Sequence, residues 1–160
     1  MMKLKIREAV LSDYIDVSKL VLEVHKLHVK NRPDVYVDTN TPLEKEYFIE
    51  LLSANDTKLF VVEDTNNEEL VAYSIVKIIA PRSIQILIPS KVAFIDDFCV
   101  KANYKQKGIG KKLFNHIVEY VKSEECSSLQ LVVWEFNKDA ISFYEKLGMV
   151  TRNRRMELNF

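Results

Sequence analysis

Glycine is scarce in this 160-residue chain, and two of its three glycines fall in one hexapeptide, Lys105-Gln106-Lys107-Gly108-Ile109-Gly110. Before it lies a β-branched apolar run, 92–100, which reads as a strand. After it, Ile109, Leu113, Ile117 and Val121 recur at steps of four along 108–124, the spacing of a helix with one buried stripe. A second strand, 129–134, follows. Strand, polar turn, helix and strand in that order commit this part of the chain to a crossover unit with parallel strands. The turn has a chemistry of its own. The first N–H groups of a helix have no internal partner, and the helix dipole places partial positive charge there. A phosphate fits such an end. Gly108 and Gly110 lack Cβ atoms, so a bulky anion can approach the backbone, and Lys105, Lys107, Lys111 and Lys112 surround the turn. Gly110-Lys111 lacks the earlier glycine of a Walker A loop, and the first glycine of a dinucleotide fingerprint is missing.

The rest of the chain divides by the same rules. Leu4, Ile6 and Ala9 alternate with Lys3, Lys5 and Arg7 as a short strand. Ser12 or Asp13 caps a helix whose apolar face is Val17, Leu20, Val21, Val24 and Leu27; Asn31-Arg32-Pro33-Asp34 ends it. Thr41-Pro42 opens a second helix running to about Ser53. Residues 58–63 and 70–80 read as strands joined by the polar turn Asp64-Thr65-Asn66-Asn67-Glu68-Glu69. Residues 83–88 read as another strand or an extended loop. Residues 139–147 form a helix stopped by Gly148, and 150–158 a closing strand. Adjacent strands in the first half imply antiparallel pairing. The expected fold is mixed α/β (α+β): a largely antiparallel sheet flanked by helices, in a single domain spanning 1–160.

Composition removes several alternatives. Lys+Arg and Asp+Glu balance at 23 each, so no global charge points to nucleic acid or an anionic membrane. Charges interrupt the N-terminal residues at once, and no stretch approaches the ~20 apolar residues of a membrane span. Two cysteines do not make a disulfide framework. A soluble cytoplasmic protein is expected, with no nucleic-acid or membrane partner. His25 and His28 share a helix at i, i+3 without a further Cys or His, so no metal is expected. His116 falls on the polar face of its helix. Cys99 has no histidine signature near it and is not read as a nucleophile.

Two stretches resemble a known family. Phe94-Ile95-Asp96-Asp97-Phe98-Cys99-Val100, Tyr104, the K-x-x-G-x-G run and the helix at Leu113-Phe114 resemble motif A of the GNAT superfamily of N-acetyltransferases. Asn137-Lys138-Asp139-Ala140-Ile141-Ser142-Phe143-Tyr144-Glu145-Lys146-Leu147-Gly148-Met149 resembles its motif B. The resemblance covers 92–150 well; the N-terminal half, which usually carries acceptor specificity, matches only in element order. Lys105 stands where the family pattern has Arg or Gln, with Gln106 beside it. Lysine neutralises phosphate but lacks the planar fork of arginine.

The resemblance implies acetyl-CoA as co-substrate and direct acetyl transfer to an amine, without a covalent enzyme intermediate. Coenzyme A would contact Phe98, Cys99 and Val100 along the strand edge. It would also contact Lys105, Gln106, Lys107, Gly108, Ile109, Gly110 and Lys111 at the turn, and Asn137, Ala140, Phe143 and Tyr144 in motif B. A backbone N–H around Phe98 to Val100 would stabilise the oxyanion, and Tyr144 would protonate the leaving thiolate. An amine with a pKa of about 10.4 must lose a proton before it attacks. Asp96 and Asp97 are the candidate bases. Strand alternation puts Asp96 on the face of Phe98 and Val100, which favours Asp96 as base through water and Asp97 as a cation or structural partner. The plain alternative is two ordinary half-exposed carboxylates. The carboxylate pair, with Cys126-Ser127-Ser128 and Trp134-Glu135-Phe136-Asn137, also resembles diamine acetyltransferases, so a small polyamine-like amine is one expected acceptor. A protein N-terminus or lysine is the main enzyme alternative, and a non-catalytic acetyl-CoA-binding or interaction module the other class. A homodimer is expected from the resemblance.

Overall fold

The structure, a computed structural model, describes residues 1–160. Five strands form one sheet in the order β1 (Leu4–Glu8), β2 (Thr57–Asp64), β3 (Glu69–Ile79), β4 (Val92–Val100) and β5 (Ser128–Leu131). β1 to β4 pair antiparallel, and β5 runs parallel to β4. Helix α3 (Ile109–Ser123) makes the crossover between β4 and β5. Helices α1 (Tyr14–Asn31) and α2 (Lys45–Ser53) precede β2, and α4 (Lys138–Lys146) follows β5. The fold class expected from the sequence is therefore the one observed.

The sheet carries a core on each face. Ile109, Leu113, Ile117 and Val121 of α3 are buried against Phe60, Val62, Ala93 and Ile95, so the expected stripe packs as drawn. Val17 and Leu20 of α1 and Phe48 and Leu51 of α2 pack against Leu59, Val61, Tyr73 and Ile75 on the other face. Because β2 is covered on both sides, Leu59-Phe60-Val61-Val62 reads as an unbroken apolar run rather than an alternating one. Each large side chain so buried contributes about 1.5–3 kcal/mol. Arg7 pins the start of α1 to β1, giving two bonds to Asp13 at 2.7 and 3.0 Å and one to Glu63 at 3.2 Å. Burial pushes the Asp13 carboxyl up, but the Arg7 fork and the Val10 N–H outweigh it and hold the group below its usual range.

Three boundaries differ from expectation, and of the two readings left open for 83–88 the loop is the one observed. Residues 150–158 form no strand, since nothing in the chain pairs with them and a lone strand has no backbone partners. Residues 83–88 are a loop with a turn closed by Leu87 N–H on Ile84 C=O at 2.9 Å; Pro81 and Pro89 bracket it and remove ladder donors. Helix α2 begins at Lys45 rather than Thr41-Pro42, and β5 ends at Leu131 rather than Trp134. Leu27, placed on the buried face of α1, is 40% exposed.

Candidate active site

The turn after β4 is shaped for an anion. Tyr104 ends a short 3-10 turn and is buried, its hydroxyl bonded to Asp64 and Glu69. The backbone then enters the left-handed region twice, at Gln106 (φ 60°) and Gly108 (φ 79°). Such reversals turn successive N–H groups to one side, a concavity suited to phosphate. Gly108 has open space where a Cβ would stand, so its requirement is conformational. Gly110 serves differently. A Cβ there would lie 3.1 Å from Phe143 Cζ and 3.4 Å from Val100 Cγ2, so this glycine lets α4 close onto the turn. No side chain caps α3, which leaves its first N–H groups to a ligand. Lys107 lies over the Tyr104 ring at 4.9 Å. Lys105, Lys107, Lys111 and Lys112 form no ion pair, so their charge is uncompensated.

An open strand edge leads from this turn. β5 pairs with β4 only from Val92 to Ile95, so residues 96–100 have no neighbour on that side. Lys101 N–H donates to Val71 C=O on β3 at 2.8 Å. By alternation, Phe98 and Val100 turn their N–H groups to the open edge. The Phe98 N–H is held by the Asp97 carboxylate at 3.0 Å, while Val100 keeps its own for a ligand. The open edge accommodates an extended, amide-bearing chain by strand addition.

The two aspartates do not alternate. Ile75 faces Asp97 and Val76 faces Ile95, so Asp96 is the extra residue of a β-bulge. Ile95, Phe98 and Val100 pack towards α3, whereas Cys99 belongs to the core under α1. The expectation that Asp96 shares a face with Phe98 and Val100 is corrected: the bulge sends both carboxylates to the α1/α2 side. Asp96 is half-exposed and ion-paired to Lys77 at 3.1 Å. Asp97 is half-buried. Burial pushes its carboxyl above the usual range, and neighbouring Asp96 adds to this, against the hydrogen bonds from Tyr73 and the Phe98 N–H. Tyr73 is fully buried and its hydroxyl donates to Asp97.

Tyr144 stands at the other side of the open edge. Its ring packs edge-on to Phe98 at 6.0 Å and beside Phe114 and Phe143. Burial, then the charges of Asp97 and Cys99, push its phenol up, so the hydroxyl is protonated at neutral pH. Asn137 caps α4, its side chain accepting from Ala140 N–H at 3.2 Å. Cys99 is buried and its thiol is pushed up to about 12, chiefly by burial, which leaves it without nucleophilic character. His116 is exposed, with its ring against Phe60 at 4.9 Å.

On the α1/α2 face lies a groove of about 720 Å³. Its lining includes His25, Thr41, Glu44, Glu46, Tyr47 and Glu50, with no lysine or arginine. It approaches the bulge through Tyr47, which lies close to Lys77, the partner of Asp96. These residues escaped sequence reasoning because they gather from α1, the loop before α2 and α2 itself. Lys77, a charge inside the apolar run 70–80, was the one local signal. A second cluster closes the far end: Trp134 donates to Tyr36 Oη at 2.8 Å, stacks on Phe136 and carries Arg32 over its ring at 4.6 Å.

This arrangement can be compared with known proteins. The sequence profile of the acetyltransferase (GNAT) family matches residues 21–149. The chain belongs to the GNAT family. Thialysine N-epsilon-acetyltransferase of Bos taurus is 36% identical over 55 residues, which is 34% of this GNAT chain and 32% of that protein. Glucosamine 6-phosphate N-acetyltransferase of Trypanosoma brucei brucei is 32% identical over 68 residues, 42% of this chain and 44% of that protein. The chain thus spans less than half the length of these curated relatives. A point mutant of the BH1408 protein from Bacillus halodurans superposes with a TM-score of 0.95 at 31% identity, covering 98% of this chain and 99% of that one. No helix of this GNAT chain is long and apolar enough to cross a membrane.

Proposed function

We propose that this chain is an acetyl-CoA-dependent N-acetyltransferase acting on the primary amine of a small, polyamine-like cation, in the cytoplasm and as a homodimer. The observation that carries the reading is the arrangement around β4, with an uncompensated basic turn at its end and a carboxylate-lined groove approaching its bulge. The turn and the four free lysines fit the pyrophosphate of coenzyme A, and the open edge at 96–100 fits its amide-bearing arm. Bound there, acetyl-CoA supplies an activated acetyl group as a thioester.

The chain's own groups do the rest. The Val100 N–H donates to the oxygen of the acetyl group as negative charge builds on it. Asp97, with its raised pKa, takes the amine proton through water, while Asp96 is engaged by the ammonium of Lys77. Tyr144 gives its proton to the departing thiolate and regains one from solvent. Phe98, Phe143 and Tyr144 wall the edge from water. Glu44, Glu46 and Glu50 attract a cation and repel a phosphorylated amine. Both curated relatives are named for acetylation of small amines, which supports a small acceptor.

Thiol release from acetyl-CoA, measured against a panel of diamines, amino acids, amino sugars and peptides, tests the reading. Diamines should give the highest kcat/KM. Release with peptides alone would replace the acceptor class, and binding of coenzyme A without release on any amine would make the chain a binding module.

A further inference from the structure

From Leu70 to Ile79, β3 is apolar except for Ser74, Lys77 and the hydroxyl of Tyr73. All three polar groups serve the bulge on β4. Lys77 pairs with Asp96 at 3.1 Å, Ser74 Oγ donates to the Asp97 C=O at 2.8 Å, and Tyr73 Oη donates to Asp97 Oδ2. Tyr73 is fully buried in the core under α1 and α2. A phenylalanine ring would fill the same apolar space. The hydroxyl instead brings a polar group into that core, which is unfavourable unless a hydrogen bond offsets it, and its bond is to Asp97. Burial pushes the Tyr73 phenol well up, and the charge of Asp97 adds to this, so the hydroxyl keeps its proton and always donates. The other carboxylate oxygen, Oδ1, accepts the Phe98 N–H at 3.0 Å. Ser74 thus holds the backbone of the bulge, while Tyr73 and the Phe98 N–H hold the carboxylate by one oxygen each. A carboxylate offers about four acceptor sites, so two remain for the water that carries the amine proton.

We infer that Tyr73 is a positioning residue for the base, its hydroxyl fixing the Asp97 carboxylate in one orientation and favouring its charged form. The inference rests on the base role proposed for Asp97 above. Other ionisable groups nearby do not do this work. Asp96 disfavours a charge on Asp97 and is itself engaged by Lys77, which lies close to Tyr47 of α2. Cys99 on β4 and Tyr144 on α4 are neutral at neutral pH, both pushed up chiefly by burial. Glu23 of α1 is engaged by the Ala102 N–H at 2.7 Å. Among these side chains, only that of Tyr73 donates a hydrogen bond to the Asp97 carboxylate. A donor to a carboxylate favours the ionised form, so its removal raises the pH at which Asp97 loses its proton.

Carbon-13 titrations of the Asp97 carboxyl and the Tyr73 ring carbon bearing the hydroxyl, with pH–rate profiles for wild type and Tyr73→Phe, test the inference. In the wild type the two carbons should titrate with one shared midpoint. In Tyr73→Phe the Asp97 midpoint should move to higher pH, and the acid limb of kcat/KM for diamine should move with it. At neutral pH that variant should lose about tenfold in kcat/KM, with the KM for acetyl-CoA unchanged, and the loss should narrow as pH rises. A Tyr73 carbon that ignores the Asp97 titration overturns the inference. So does a folded Tyr73→Phe whose Asp97 midpoint stays in place, or one that loses activity equally at every pH, as a purely structural role would require. The titrations need no turnover, so they decide the part of Tyr73 even if no amine is acetylated, and thiol release with an unmoved limb would remove that part while the proposed activity stands. Should Tyr73→Phe not fold, the wild-type titrations decide alone.

Discussion

The two sides of β4 are built on different logics. The side towards α3 and α4 is made by backbone: two left-handed residues, an uncapped helix start, an open strand edge and one glycine that admits Phe143. The side towards α1 and α2 is made by side chains: glutamates on α2 and its approach, Tyr47, Lys77 and the carboxylates of the bulge. A ligand held by backbone can be shared by many sequences, because its site survives changes of side chain. A ligand held by side chains is specified residue by residue. The difference predicts that donor and acceptor affinities respond to separate substitutions, with the catalytic groups between them affecting turnover alone.

The largest effect should come from Tyr144→Phe, which removes the acid but keeps the ring against Phe98 and Phe114. Its kcat should fall about 10²- to 10⁴-fold with the KM for acetyl-CoA unchanged; equal kcat values in steady-state assays would remove the acid role. Asp97→Asn comes next. Below its raised pKa the wild-type carboxyl holds its proton and cannot accept another, so wild-type kcat/KM should fall as pH drops through that value and recover above it. The variant should lose about a hundredfold at neutral pH and show no acid limb, whereas Asp96→Asn should keep the limb; a pH–rate series separates them. Gly108→Ala forces a Cβ into the left-handed region at about 1–2 kcal/mol. Calorimetric titration should show acetyl-CoA binding weakened by roughly tenfold, with the acceptor KM untouched. The smallest change is Lys105→Arg, whose fork should tighten acetyl-CoA by roughly threefold, most at low salt.

The same division explains what the sequence displayed. The side of β4 towards α3 and α4 was legible because its parts are neighbours in the chain: Gly108, the α3 stripe from Ile109 to Val121, and Tyr144 seven residues after the cap Asn137. The bulge was not. Alternation assumes one residue per rung, and the insertion of Asp96 opposite β3 is visible only once the register is known. Tyr73 sits in an apolar run with nothing to mark its hydroxyl, and meets Asp97 only across strands. Gly110 stood out in the sequence, but its close neighbour Phe143 comes from another helix. The strand pattern at 150–158 was real as a pattern; what it lacked was a partner inside the chain.

Initial rates over a grid of acetyl-CoA and diamine concentrations test the account most directly, for wild type and for the variant Glu44→Gln, Glu46→Gln, Glu50→Gln. Intersecting lines are expected, as direct transfer within a ternary complex requires. The variant's KM for diamine should rise by about tenfold or more, at a few tenths to 1 kcal/mol for each exposed charge, with the KM for acetyl-CoA unchanged. Parallel lines, or a KM for acetyl-CoA that rises in step with that for diamine, would contradict it.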